Sequence, residues 1–159
     1  MASSVDGYMR VYDLRMQKLL QFMVYDDETL QPINSFDVLN LQPNFLAISS
    51  LDSTVRLLDI TDGQIISQYK GGHQTSDYHG SVKFTKDGNY LVQASEDGKL
   101  VLYDISKKQA DSQQIAGKMA GHSMPVISVD VASGNRVVSG SADGTARLWT
   151  YAWFKFKTI

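Results

Sequence analysis

An all-β fold, built from repeats of a four-stranded antiparallel sheet stacked side by side, is predicted for this 159-residue chain by three features. One phrase is written four times: SSVDGYMRVYDL, SSLDSTVRLLDI, ASEDGKLVLYDI and GSADGTARLWTY. The turn aspartates of those phrases, Asp6, Asp52, Asp97 and Asp143, are spaced by 46, 45 and 46 residues, so the chain has a repeat architecture. No stretch keeps a helical hydrophobic period, whereas short apolar runs are punctuated by Asp-Gly and similar turn pairs. A single such unit cannot bury its own apolar faces and must pack against its neighbours.

In chain order, the first repeat, 1–25, lacks its innermost strand. The second, 32–70, places strands at 33–39, 45–49, 54–60 and 64–69. The third, 80–120, alternates at 81–84, turns at 86–89, runs apolar at 90–94, turns tightly at Asp97-Gly98, runs apolar again at 100–105 and ends on a weaker outer strand at 114–119. The fourth, 125–159, uses 126–131, 136–139, 145–150 and 152–158. Central strands such as Leu100-Val101-Leu102-Tyr103 are apolar on both sides, as a sheet sandwiched between sheets requires. In the tail, Phe154 and Phe156 alternate with Lys155 and Lys157, an outer-strand pattern with one apolar face.

Composition narrows the function. Charged residues make up 20% of the chain and the formal net charge is -2, which leaves no basic field for sequence-independent nucleic-acid binding. No apolar run reaches membrane-spanning length and Met1 to Gly7 lacks the regions of a signal peptide, so a cytoplasmic or nuclear location is the expectation. Cysteine is absent, which removes disulfides, thiol catalysis and thiolate metal sites.

The repeat unit resembles the blade of WD-repeat β-propellers, in which a Gly-His precedes the first strand and a Trp-Asp or Tyr-Asp ends the third. The resemblance implies a partial ring of a seven-bladed propeller, about three and a half to four blades. It also implies an internal hydrogen-bond tetrad of His122, Ser139 (or Ser141), Asp143 and Trp149 in the fourth blade, and a partial one of His73, Ser95, Asp97 and Tyr103 in the third. Leu58 and Tyr12 stand where the family has Trp, and Thr150 where it has the closing Asp. More narrowly, SSLDSTVRLLD and its flanking strings are similar to the later repeats of the mitogen-activated protein kinase organizer family. That similarity implies a non-enzymatic scaffold whose partners are kinase-cascade components and splicing factors. Seven blades need roughly 300 residues, so the expectation is the C-terminal half of a longer propeller, its open faces covered by the missing half or by a second copy.

Catalytic candidates are few. His73, Asp77 and His79 share the loop GGHQTSDYHG and have metal-ligating side chains, but the preferred reading is a surface insertion with no metal and no cofactor. His122, Ser139 and Asp143 match a nucleophilic triad in composition, yet the propeller reading assigns all three to structure. What remains is binding. The loops between blades and the tight turns surround one end of the family's central channel, and there Asp26, Asp27, Tyr78, His79 and Met124 are the candidate contacts, aromatic and thioether anchors beside acidic steering groups. On the opposite rim, Tyr12-Asp13-Leu14-Arg15 resembles the box by which some WD-repeat proteins dock on a cullin ubiquitin-ligase adaptor, with Arg15 as the contact. That gives a second reading, a ubiquitin-ligase substrate receptor.

Overall fold

The computed structural model describes residues 1–23, 31–106, 115–152 and 155–158. Among them there is no helix, and fifteen strands form four antiparallel sheets. The first sheet has three strands, β1 (Ala2–Ser3), β2 (Tyr8–Asp13) and β3 (Lys18–Met23), in that order. The second runs β4 (Ile33–Val38), β5 (Phe45–Ser50), β6 (Thr54–Asp59), β7 (Gln64–Lys70). The third runs β8 (Val82–Phe84), β9 (Tyr90–Ala94), β10 (Lys99–Asp104), β11 (Ile115–Ala120), and the fourth β12 (Val126–Ala132), β13 (Arg136–Ser141), β14 (Ala146–Ala152), β15 (Lys155–Thr158). One expected boundary shifts: Ala152 closes β14, opposite Lys155, rather than opening the outer strand.

Every strand pairs with its sequence neighbour, so each sheet is a meander. The turns that make this possible carry the repeated aspartate. Gly7, Gly98 and Gly144 follow it with φ of 79°, 76° and 78°, a left-handed backbone that side chains resist. At the equivalent place in the second sheet Ser53 adopts φ 55°. Its hydroxyl accepts the Thr75 N–H at 2.9 Å, which offsets the strain.

The sheets stack face to face through three separate cores. Met9 of the first packs with Ile33, Leu46, Ile48 and Leu58 of the second. Ala47, Val55, Leu57 and Tyr69 on the other face of the second sheet meet Val82, Phe84, Leu91, Val101 and Tyr103 of the third. Val92, Leu100, Leu102 and Met119 of the third then meet Val129, Val131, Val137 and Trp149 of the fourth. Alternate side chains of one strand thus serve different cores, as period 2 demands.

The inner strands set the radial order. Val82 N donates to Ser35 Oγ at 3.2 Å and Phe84 N to Asp37 Oδ2 at 2.9 Å, tying β8 to β4. Val129 N donates to Ser81 Oγ at 2.6 Å, and Ser81 N donates to Ile127 O at 3.1 Å, tying the start of the third sheet to β12. Inner strand therefore lies beside inner strand, the arrangement of propeller blades. On the face of the fourth sheet turned away from the third, Ile127 and Val138 are 44% and 43% exposed.

Candidate interaction surface

The repeated aspartate accepts the backbone N–H two residues on: Tyr8 N at 3.1 Å on Asp6, Thr54 N at 3.1 Å on Asp52 and Thr145 N at 2.9 Å on Asp143. What else the carboxylate meets differs from blade to blade. In the fourth, His122 Nδ1 lies 2.9 Å from Asp143 Oδ2, His122 Nε2 lies 2.8 Å from Ser139 Oγ, and Trp149 Nε1 donates to that oxygen at 2.7 Å. The Thr145 hydroxyl, at 2.6 Å, and then the His122 ring hold the Asp143 carboxyl well below the usual carboxylate range. Ser139 therefore stands at the tetrad position. Ser141 instead donates to the Pro125 carbonyl at 2.9 Å.

The third blade departs from its expected pattern, and Ser95 and Asp97 are the corrections. Ser95 lies two residues before the turn Asp, as Ser141 does, and accepts the Gln74 N–H at 2.9 Å. The tetrad position, four residues before the Asp, is Gln93, whose Nε2 donates to Ala94 O at 2.8 Å and Gly80 O at 3.2 Å. Asp97 takes Lys99 Nζ at 2.5 Å in place of a histidine. His73 goes directly to the Tyr103 hydroxyl at 2.7 Å. A Cβ on Gly72 would collide with that hydroxyl, so a glycine before the histidine lets the ring reach it. Burial pushes the His73 pKa down to about 4, against the pull of Asp52 and Asp97.

In the first two blades the turn Asp pairs with an arginine four residues on. Asp6 meets Arg10 at 2.6 Å and Asp52 meets Arg56 at 2.7 Å. The Asp-x3-Arg spacing of both phrases carries these pairs, and the fourth phrase has the same spacing in Asp143 and Arg147, where the aspartate meets His122 instead.

These anchors hold one rim together. The connection 71–80 crosses from the second blade to the third, with Thr75 Oγ1 donating to Ser50 O at 2.9 Å and Glu96 N donating back to Gln74 O at 2.9 Å. The connection 121–125 crosses in the same way: Val126 N donates to Ser95 O at 3.1 Å, and His122 O lies 2.5 Å from where a Gly98 Cβ would stand. Tyr78 and Met124 flank the third blade's turn. Tyr78 N is 2.9 Å from Glu96 Oε1, the Met124 carbonyl is 3.4 Å from the Gly98 Cβ position, and the two side chains are 50% and 49% exposed. His79 is exposed and its Nδ1 contacts Asn34 Oδ1 at 3.1 Å. Asp26 and Asp27 lie outside the described residues.

On the opposite rim Asp13 Oδ1 accepts the N–H groups of Arg15 and Met16 at 2.9 and 3.1 Å, which leaves the Arg15 side chain exposed beside Leu14 and Met16. A small pocket there is lined by Leu39, Lys83, Phe84, Lys86, Asp130 and Val131, with Lys83 Nζ held by Asp37 at 2.9 Å.

The chemistry of these groups is structural. Ser139 is 1% exposed with Trp149 and His122 on its hydroxyl, so no substrate carbonyl reaches it. His73 points inward to Tyr103 while His79 faces Asn34, and among the described residues no three His, Asp or Glu side chains gather as a metal site.

The family model for the WD domain, G-beta repeat, matches residues 63–104 and 113–150, half of the chain. The chain belongs to the WD40 family. The WD repeat domain-containing protein 83 homolog of Dictyostelium discoideum is 32% identical over 148 residues, 92% of this chain and 42% of that protein. WD repeat domain-containing protein 83 of Rattus norvegicus is 36% identical over 105 residues, 66% of this chain and 31% of its own length. The serine-threonine kinase receptor-associated protein of Mus musculus is 27% identical over 114 residues, 72% of this chain and 30% of that protein. The chain thus spans less than half the length of each. The protein 83 relatives agree with the narrower resemblance, to the kinase organizer family.

Proposed function

We propose that this WD40 chain is a non-enzymatic scaffold segment that holds other proteins on the rim carrying Tyr78, His79 and Met124. One observation carries the reading: an exposed aromatic and an exposed thioether side chain are held on either side of one turn by a pinned backbone, so little ordering entropy opposes binding there. The similarity to the organizer family supports kinase-cascade components as partners, with splicing factors as a second set, in the cytoplasm or nucleus. Ile127 and Val138 on the outward face of the fourth blade support a cover from further propeller blades or from a second copy.

The test is capture of purified mitogen-activated kinase-cascade kinases and splicing factors by the chain and its variants. Loss of capture in Tyr78→Ala and Met124→Ala, with unchanged circular dichroism, supports the reading. Unchanged capture in both variants, or capture of a cullin-ligase adaptor by the parent chain that is lost in Arg15→Ala, overturns it.

A further inference from the structure

The tip of the connection 71–80 is held by one carboxylate. Glu96 Oε1 accepts the N–H groups of Ser76, Asp77 and Tyr78, the latter two at 2.8 and 2.9 Å, and Ser76 Oγ donates to Glu96 Oε2 at 3.1 Å. Three consecutive N–H groups turned on one anion form a nest. Burial works against the charge on Glu96, but the N–H groups of Tyr78, Asp77 and Ser76 outweigh it and hold the carboxyl below its ordinary value. The two ends of the connection are fixed separately, through His73 and Thr75 on one side and His79 on the other. Ser76, Asp77 and Tyr78 are all exposed, so the tip can lift while its ends stay in place.

From this arrangement we propose that Ser76 is a phosphorylation site and that a phosphate there opens the Glu96 latch, releasing Tyr78 from its place on the rim. The reaction is ordinary phosphoryl transfer. Ser76 Oγ forms a bond to the γ-phosphorus of a nucleoside triphosphate, the bond from that phosphorus to the bridging oxygen breaks, the nucleoside diphosphate leaves, and the hydroxyl proton passes to the kinase's base. The product carries about -1.5 to -2 charges at pH 7 and has lost the hydroxyl proton that Glu96 accepted. Phosphate and carboxylate then stand a hydrogen-bond length apart with Asp77 beside them, and like charges that close repel. The nest cannot hold both anions, so Glu96 is displaced and the N–H groups of residues 76–78 lose their common acceptor. The mechanism does not depend on which protein binds the rim.

Two measurements decide it, both on the full chain. Phosphoserine is installed site-specifically at position 76, and amide exchange is compared with the unmodified protein, with Ser76→Ala and with Glu96→Gln. The expected result is exchange at residues 76–78 roughly tenfold faster or more in the phosphoprotein, with protection of β9 and β10 unchanged and Ser76→Ala close to the parent. Glu96→Gln, which keeps the shape and loses the charge, is expected to fall between the two. Unchanged exchange in the phosphoprotein overturns the latch. Phosphopeptide mapping of the protein recovered from its own cells is expected to find phosphate on Ser76, and its absence there overturns the assignment of a modification site.

Discussion

Tyr103 stands where the fourth blade has Trp149, and its hydroxyl meets His73 Nδ1 at 2.7 Å, closing in one step a link that the fourth blade makes through Ser139. The phenol reaches what an indole N–H reaches only through a serine. Once Tyr occupies the third strand, the serine is not needed, and Gln93 occupies its position without breaking the connection between loop and strand.

Tyr103→Phe removes the buried partner of His73 while leaving the ring in its core. A loss of about 1–3 kcal/mol is expected, read as a fall in Tm of roughly 2–12 °C for a domain of this size. Retention of the parent Tm would show that the His73 contact contributes nothing.

In the fourth blade Ser139→Ala leaves both Trp149 Nε1 and His122 Nε2 without their shared oxygen, so the cost is expected to be larger, about 2–4 kcal/mol by denaturant unfolding. A double-mutant cycle with Trp149→Phe checks the coupling. The second substitution is expected to cost less in the Ser139→Ala background than in the parent, because the hydrogen bond it removes is already gone.

The two Asp–Arg pairs differ in burial. The Arg56 and Asp52 side chains are 5% and 24% exposed, those of Arg10 and Asp6 26% and 45%. Arg56→Met is expected to cost about 2 kcal/mol, since it leaves a half-buried carboxylate with its charge uncompensated. Arg10→Met is expected to cost less, with an effect that fades in high salt. Unfolding midpoints at low and high salt separate the two.

Much of this was legible in advance for physical reasons. Strand alternation and turn chemistry are local, so the strands at 45–50, 54–59 and 90–94 and the turns after Asp52, Asp97 and Asp143 can be read from a few neighbouring residues. The tetrad position of the third blade is ambiguous in the sequence because positions two and four before the turn Asp point to the same side of a strand, and a Ser at either fits the pattern. Only the pairing of Leu91 with Tyr103 and of Val137 with Trp149 shows that Gln93, not Ser95, matches Ser139. The Glu96 latch had no sequence signal, since a carboxylate meeting three N–H groups some twenty residues away depends on how two loops cross.

Acid is expected to weaken the chain in two stages. The folded His73 pKa, about 4, lies below its ordinary value of 6.5. Between those values the unfolded chain binds a proton that the folded chain does not, so stability falls as the pH drops through this window, by up to about 3 kcal/mol. Asp143, Asp97 and Glu96 have carboxyls held low in the fold, so their contribution is present above their unfolded values and is lost at lower pH, below about 4. His73→Gln should flatten the first stage of a Tm against pH profile and keep the second. An unchanged profile would assign the first stage to another group.

Among the described residues the sheets succeed one another around an axis, each core joining a sheet to its sequence neighbour, and methyl nuclear Overhauser contacts in solution test this most directly. Contacts are predicted from Met9 to Leu46 and Ile48, from Val55 and Leu57 to the Val82 and Leu91 cluster, and from Val92 and Leu100 to Val129 and Val137. Contacts joining Met9 directly to Val129 or Val137, or none between Val92 and the fourth sheet, would contradict the radial order.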